Sequence, residues 1–213
     1  MKIAIFSDVH GNLIALEQFI KATKHVVDSY ICLGDVVNYG PWNDECLQLV
    51  VEMPNTTVLE GNHEELFKGA VSVDDELPLV KLFYAHSIRF FTRLDLIKSL
   101  PKHTDINNYR CVHTIDKRSI YEDTEIIIEQ NFIIGHSHHQ YKIERSNYFI
   151  INPGSIGQNR KWINLIDYLI FDTTNCEFVF KSLSYDVEKF ISELRTRNYP
   201  SECIEYYSNK KRR

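Results

Sequence analysis

The stretch Lys2-Ile3-Ala4-Ile5-Phe6-Ser7-Asp8-Val9-His10-Gly11-Asn12 decides how the rest of the chain is read. Ile3 to Phe6 form a short apolar run that reads as a buried strand, and the polarity then switches abruptly at Ser7-Asp8. Leu13, Ile14, Leu16, Phe19 and Ile20 follow at helical spacing, so Asp8 and His10 fall at a strand-to-helix junction. In open α/β sheets ligands gather beyond the carboxyl ends of the strands, which makes this junction a candidate site.

Working outward, the same order recurs. Tyr30 to Leu33 reads as a second strand ending at Gly34-Asp35, followed by a helical pattern through Leu47, Val50 and Val51. Thr56 to Leu59 reads as a third strand, ending at Gly61-Asn62-His63-Glu64. This alternation predicts an α/β fold with a partly parallel sheet. Residues 77–100 read as helical, closed by Pro101. Beyond that point, runs at 109–113, 126–134, 147–151, 165–171 and 176–183 are rich in Ile, Val, Phe and Tyr, so the second half reads as strand-dominated. Residues 119–130 fit a helix equally well. A final amphipathic helix is expected from near Tyr185, with Val187, Phe190, Ile191 and Leu194 inward. No linker, repeat or low-complexity block interrupts the chain, and a single domain over 1–213 is expected.

Polar clusters close these apolar runs. Asp8-Val9-His10, Gly34-Asp35 and Gly61-Asn62-His63-Glu64 end the first three, His113 ends the run at 109–113, and Gly135-His136-Ser137-His138 follows Ile134. Neutral imidazoles and carboxylates suit borderline divalent metals such as Zn, Mn, Fe, Ni or Co. Asp8 and His10 are two apart, as are His136 and His138, so along an extended chain each pair would point one way. A lone D-x-H or G-D is common and a lone His is more often structural; the ordered set of five is the signal. Two divalent cations, offset by Asp8, Asp35 and a bridging hydroxide, would leave net positive charge for a phosphate. Held about 3.5–4 Å apart, they would suit an in-line displacement.

Bulk properties narrow the classes. The 213 residues carry a net charge of −5, against a general nucleic-acid binder, and are 44% hydrophobic. Cys32, Cys46, Cys111, Cys176 and Cys203 are odd in number and contain no C-x-x-C pair, which disfavours a disulfide framework or cysteine zinc site. No stretch approaches a membrane span or a signal-peptide core, so a cytoplasmic location is expected. Lys210-Lys211-Arg212-Arg213 reads as a solvated end. His25, His86 and His103 read as surface or helix-face residues, and His139 as solvated. Tyr84, Phe90 and Phe91 read as core or pocket wall, and Trp42 as either pocket border or helix-start packing.

With these motifs in hand, the chain resembles the calcineurin-like metallophosphoesterase superfamily, whose motif order is D-x-H, G-D, G-N-H-[DE], a lone H and G-H-x-H. The likeness is greatest to its small prokaryotic-type phosphodiesterase branch, through Ser7 to Asn12, Gly34 to Pro41 and Asn152 to Gln158. The resemblance implies an α/β (α+β), four-layer α-β-β-α sandwich, two mixed sheets flanked by helices. It implies two divalent metal ions, with Mn favoured, one held by Asp8, His10, Asp35 and His138. The other would be held by Asp35, Asn62, His113 and His136. It gives His63 the role of catalytic proton donor, and points to Asn12, the backbone around Gly154-Ser155, and Arg160 as substrate contacts. The implied activity is hydrolysis of a small phosphodiester or phosphomonoester, with a nucleotide as one candidate, by a metal-bridging hydroxide. The alternatives are a protein or dinucleoside-polyphosphate phosphatase, or a non-catalytic protein-binding scaffold of the same fold.

Departures from the family pattern refine this. Protein serine/threonine phosphatases continue the second motif as G-D-x-x-D-R-G, where the second Asp orients the catalytic His; here those positions are Asn38 and Tyr39. The small branch usually reads V-H-G-S where this chain has Val112-His113-Thr114-Ile115. Its G-Q-P-R ending reads Gly157-Gln158-Asn159-Arg160. No stable nucleic-acid or membrane association is expected, and the oligomeric state is left open.

Overall fold

The computed structural model describes all 213 residues. In chain order the elements are β1 (Lys2–Phe6), α1 (Leu13–Thr23), β2 (Ser29–Cys32), α2 (Asn43–Glu52), β3 (Thr56–Val58) and α3 (Asn62–Phe67). Next come α4 (Pro78–Ser87), α5 (Leu94–Lys98), β4 (His103–Ile106), β5 (Tyr109–Val112), β6 (Asn131–Ile133) and β7 (Gln140–Arg145). The chain closes with β8 (Tyr148–Pro153), β9 (Leu165–Asp172), β10 (Glu177–Ser184), α6 (Val187–Thr196) and α7 (Ser201–Ser208).

Two mixed five-stranded sheets pack face to face, in the orders β10-β9-β1-β2-β3 and β4-β5-β6-β8-β7. Alternation along the strands builds the layers. Ile3 and Ile5 of β1, Ile31 of β2, Cys111 of β5, Ile133 of β6 and Ile151 of β8 point between the sheets. The residues between them point outward. On the outer face of the first sheet, Ala4, Phe6, Tyr30 and Cys32 join the largest core cluster with the apolar sides of the helices. All four residues expected inward on the last helix, Val187, Phe190, Ile191 and Leu194, are buried there. Side-chain caps start two helices: Asn12 Oδ1 accepts from Ala15 N at 3.1 Å, and Asp186 Oδ1 from Lys189 N at 3.3 Å. The expected fold of two mixed sheets with flanking helices is what forms.

The segment 77–100 is not one helix. It breaks after Ser87, where Thr92 N turns to Asp44 Oδ1 at 3.0 Å, and the chain resumes in the short α5. Residues 119–130 form neither strand nor helix. Ile120 and Ile128 instead drop onto the outer face of the second sheet beside Tyr141 and Ile150. The edge strands β4 and β7 and the helices α3 and α7 are not legible as elements in the sequence. The basic end is exposed, as expected, yet it is tied down: Ile163 N donates to Lys211 O at 2.9 Å, and Arg212 pairs with Glu188 at 2.7 Å. No helix is long and apolar enough to cross a membrane.

Parallel register positions the site. Phe6 lies abreast of Cys32, Cys32 abreast of Val58, and Cys111 abreast of Ile133. The loops carrying Asp8, Asp35 and Asn62 therefore leave one edge of the first sheet together, and those carrying His113 and His136 leave the second.

Candidate metal centre

The loops after β1 and β2 are zipped by backbone bonds from Asp8 N to Gly34 O and His10 N to Asp35 O, both 3.0 Å. Asp8 and His10 do not lie on the extended chain that their two-residue spacing suggests, and Asp35 is not extended either. Their φ angles are 56°, 50° and 55°, and His136 and His138 match them at 67° and 59°. Non-glycine residues enter this left-handed region at a cost of about 1–3 kcal/mol each, and such strain collects at functional sites. Two glycines allow the loops to meet. Gly34 sits at φ 106°, where an added Cβ would come within 2.6 Å of Gly61 N, and a Cβ on Gly61 would strike Asp35 Oδ1.

Glu64, the last letter of G-N-H-E, fastens this junction. Its buried carboxylate accepts from Asp35 N and Gly61 N through one oxygen, at 2.8 Å each, and from Val36 N and Val37 N through the other, at 2.8 and 3.1 Å. Each oxygen receives two donors, an arrangement only the anion satisfies. Burial and the neighbouring Asp35 charge push this carboxyl up to about 7, and the N–H donors pull the other way.

Around this frame the predicted ligands converge. Asp8, His10 and His138 place one donor atom each within 4.8 Å of one another, and so do Asp35, His113 and His136. Asn62 Oδ1 joins the second group, 3.0 Å from His113 Nε2 and 2.8 Å from His136 Nδ1. Asp35 Oδ2 lies 3.0 Å from His113 Nε2 and 3.9 Å from His63 Nε2, and Asp35 also places an oxygen within 4.8 Å of a His10 nitrogen, so it borders both groups. Asp8 Oδ1 is buried with no hydrogen-bond partner.

The donor set fits a cation. Nδ1 of His10, His113 and His138 faces a backbone carbonyl, of Val37 at 3.2 Å, Leu33 at 3.0 Å and Gln158 at 2.8 Å. Those contacts assign the proton to Nδ1 and leave a lone pair on each Nε2. His10 Nε2 and His138 Nε2 then face each other at 3.2 Å, with Asp8 Oδ1 3.2 Å from His138 Nε2. Such a nest of acceptors repels itself unless positive charge sits among them. The electrostatics show the same demand for positive charge among these groups. Burial would push His113 down, but the Asp35 carboxylate outweighs it and raises it to about 9. Burial would raise Asp8, but the His138 and His113 imidazoles hold it below the carboxylate range. Burial pushes His10 well down and His136 down to about 4.

His63 stands beside the ligand sets. Its N donates to Asp35 Oδ1 at 2.9 Å, and its ring lies edge-on to His10 at 5.1 Å and to Tyr39 at 5.2 Å. Asn38 Nδ2 lies 3.0 Å from His63 Nδ1. The aspartate of the protein phosphatases is absent, and an amide meets the same ring nitrogen with a donor where a carboxylate would accept. In the sequence alone Asn38 registers only as a loss. Burial lowers His63, against the opposing pull of Asp35.

The residues expected to contact substrate differ in their settings. Asn12 is fully buried, capping α1 and donating to Gly157 O at 3.1 Å and Tyr185 Oη at 3.0 Å, so its amide is committed to the fold. Arg160 is half-buried and bonded to Tyr206 Oη, and its charge is felt at Tyr39 and His139. Ser155 Oγ donates to Asp8 O at 2.8 Å and supports the first loop. Trp42 packs at the start of α2 against Phe190. A cavity of about 630 Å³ opens onto Asn62, His113 and His136, and Thr114 lines it while its hydroxyl closes a turn onto Arg118 O at 2.5 Å.

Comparison with known proteins accords with this geometry. The calcineurin-like phosphoesterase superfamily domain matches residues 1–176. The MJ0912 protein of Methanocaldococcus jannaschii is 28% identical over 93% of both chains. The crystal structure of a metallophosphoesterase from Sphaerobacter thermophilus superposes with a TM-score of 0.80 at 26% identity, over 98% of both chains. PH1004 from Pyrococcus horikoshii OT3 shares the fold, with a TM-score of 0.79 at 15% identity over 97% of both chains. From its motifs, its fold and this match, the chain belongs to the calcineurin-like phosphoesterase superfamily.

Proposed function

We propose that this protein is a dinuclear metal-dependent phosphoesterase acting on small phosphate esters, with His63 as its proton donor. The observation that carries this reading is the array of facing acceptors, His10 Nε2, His138 Nε2 and Asp8 Oδ1 in one group and His113 Nε2, Asp35 Oδ2 and Asn62 Oδ1 in the other. Asp8, His10, Asp35 and His138 would hold one divalent cation, and Asp35, Asn62, His113 and His136 the second. Bound there, the cations would supply Lewis-acid polarisation of the phosphoryl oxygens and a water nucleophile usable at neutral pH. Manganese is the ion the family resemblance favours, while the donor set, nitrogen and oxygen without thiolate, suits Fe, Co, Ni and Zn as well.

The chain's own residues account for the rest. His63 Nε2 has no hydrogen-bond partner within the fold, while its Nδ1 is held by Asn38, so the ring is fixed with one nitrogen free for a leaving-group oxygen. Glu64 holds the two central loops, and Asp35 orients α3 by accepting from His63 N. Presence of His63 together with all seven ligands favours an active enzyme over a scaffold of the same fold. Absence of the phosphatase Asp-Arg pair at Asn38 and Tyr39 favours a small substrate over a phosphoprotein.

The test is metal analysis combined with turnover of bis-p-nitrophenyl phosphate. The protein is expected to take up close to two Mn²⁺ ions and hydrolyse the ester. His63→Ala is expected to keep the metal and lose about 10²-fold or more in kcat. Absence of metal uptake and of hydrolysis would refute the proposal.

A further inference from the structure

The loop 38–41 is tied to two distant parts of the chain. Asn38 reaches His63, while the carbonyls of Gly40 and Pro41 are held by the connection between α6 and α7. Tyr199 Oη donates to Gly40 O at 2.9 Å, and Arg197 Nη1 donates to Pro41 O at 2.5 Å. Both residues lie outside the family domain of residues 1–176.

This loop needs to be held. Asn38 and Tyr39 are consecutive residues in the left-handed region, at φ 70° and 61°. Residues with a Cβ enter that region against steric resistance, and they stay there only when their surroundings over-determine them. From the start of α2, Asn43 Oδ1 accepts from Asn38 N at 2.6 Å, and Asn43 Nδ2 donates to Gly40 O at 2.9 Å. The α6–α7 connection adds its two bonds from outside. The side chain of Asn38 cannot hold itself in place, because its Oδ1 is buried without a hydrogen-bond partner and only Nδ2, on His63, is engaged. Where this amide points is therefore set by its backbone.

Tyr199 is fixed in turn. It is buried, its ring centroid lies 4.0 Å from that of His86, and its Oη lies 3.1 Å from Ser87 Oγ. The single phenol proton goes to the Gly40 carbonyl, so Ser87 is the donor to Tyr199. The end of α4 thus backs the ring, and Phe83 of the same helix packs against Tyr39 at 4.9 Å. Tyr39 in turn lies edge-on to His63, so both left-handed residues of the loop meet the catalytic ring.

We propose, on the reading of His63 as proton donor of a phosphoesterase, that Tyr199 is a positioning residue for His63. Its hydroxyl fixes the Gly40 carbonyl and so keeps Asn38 against the His63 ring.

Tyr199→Phe removes the hydroxyl and leaves the packed ring. The kcat and KM for bis-p-nitrophenyl phosphate and the Mn²⁺ content are measured for wild type, Tyr199→Phe, Asn38→Ala and the double variant. Tyr199→Phe is expected to lower kcat about fivefold, the scale of one neutral hydrogen bond, at unchanged KM and metal content. On the Asn38→Ala background the same substitution is expected to change kcat by less than about twofold, because its effect runs through Asn38. The His63 Nδ1 resonance of ¹⁵N-histidine-labelled, Zn²⁺-loaded protein, assigned with His63→Ala, supplies a readout without turnover. It is expected to move in Tyr199→Phe in the direction it takes in Asn38→Ala. A kcat within about twofold of wild type, an equal loss on both backgrounds, or an unmoved resonance overturns the proposal. Wild-type protein that hydrolyses no ester overturns the phosphoesterase reading instead, and the resonance then decides the coupling of Tyr199 to His63 by itself.

Discussion

Replacing Glu64 with Gln tests whether one buried carboxylate holds the two central loops of the site together. Its oxygens accept four backbone N–H groups, from Asp35, Val36, Val37 and Gly61, at 2.8 to 3.1 Å. Glutamine keeps the shape but turns one oxygen into an NH₂ group. Whichever way the amide points, two backbone donors then face a donor. Each buried, unpaired N–H costs about 1–3 kcal/mol, and the two remaining bonds fall from charge-assisted to neutral strength, about 1 kcal/mol each. The loss is therefore about 4–8 kcal/mol. Against it stands relief of a buried charge, since burial and Asp35 push Glu64 up to about 7 from 4.5. The net expectation is a destabilisation of about 1 kcal/mol or more.

Urea unfolding at neutral pH in excess Mn²⁺, followed by circular dichroism, reads this as a lower midpoint at unchanged slope. Affinity for Mn²⁺ should fall as well, because the left-handed backbone of Asp35 is fixed by the same carboxylate. A Glu64→Gln protein that unfolds within about 0.5 kcal/mol of wild type and binds Mn²⁺ equally well would refute the clamp.

Other predictions are independent of this one. Asn38→Ala should lower kcat by about tenfold or more while leaving KM and metal content nearly unchanged, since it frees the His63 ring without touching a ligand; an unchanged kcat would remove Asn38 from the positioning of His63. Asp35→Asn should lose metal, checked by elemental analysis, because Asp35 lies between both ligand groups. Chelation with EDTA should lower Tm, and Mn²⁺ should restore it in a concentration-dependent way, as ligand linkage requires. Of the five thiols only Cys176 is exposed, and burial pushes Cys32, Cys46, Cys111 and Cys203 up, so dithionitrobenzoate should titrate one thiol in the native protein and five in denaturant.

The sequence by itself determined the strands β1, β2, β3, β5, β8, β9 and β10, because their apolar and β-branched residues form short continuous or alternating runs. It also singled out the candidate ligand residues, because D-x-H, G-D, G-N-H, H and G-H-x-H in that order at strand ends rarely coincide unless they converge on one site. The elements it did not yield carry little apolar pattern. The strands β4 and β7 are sheet edges whose sequences, His103–Ile106 and Gln140–Arg145, hold few apolar residues. The helix α3 is six residues long and begins inside the motif itself, so no periodicity announces it.

Only the tertiary structure decided how the motif residues work. Asp8, His10, Asp35, His136 and His138 reach the centre through left-handed backbone, which no spacing rule encodes. Asn38 became a partner of His63 and Asn12 a buried helix cap, although both lie in motif stretches of similar polarity. The cavity beside the metal centre joins Glu60, Glu65, Asp75, Lys102 and Lys117, residues that lie in separate loops and helices. Side-chain chemistry is local and can be read from the chain. Direction and company depend on strand register and loop closure between segments distant in sequence, and those exist only once the two sheets have packed.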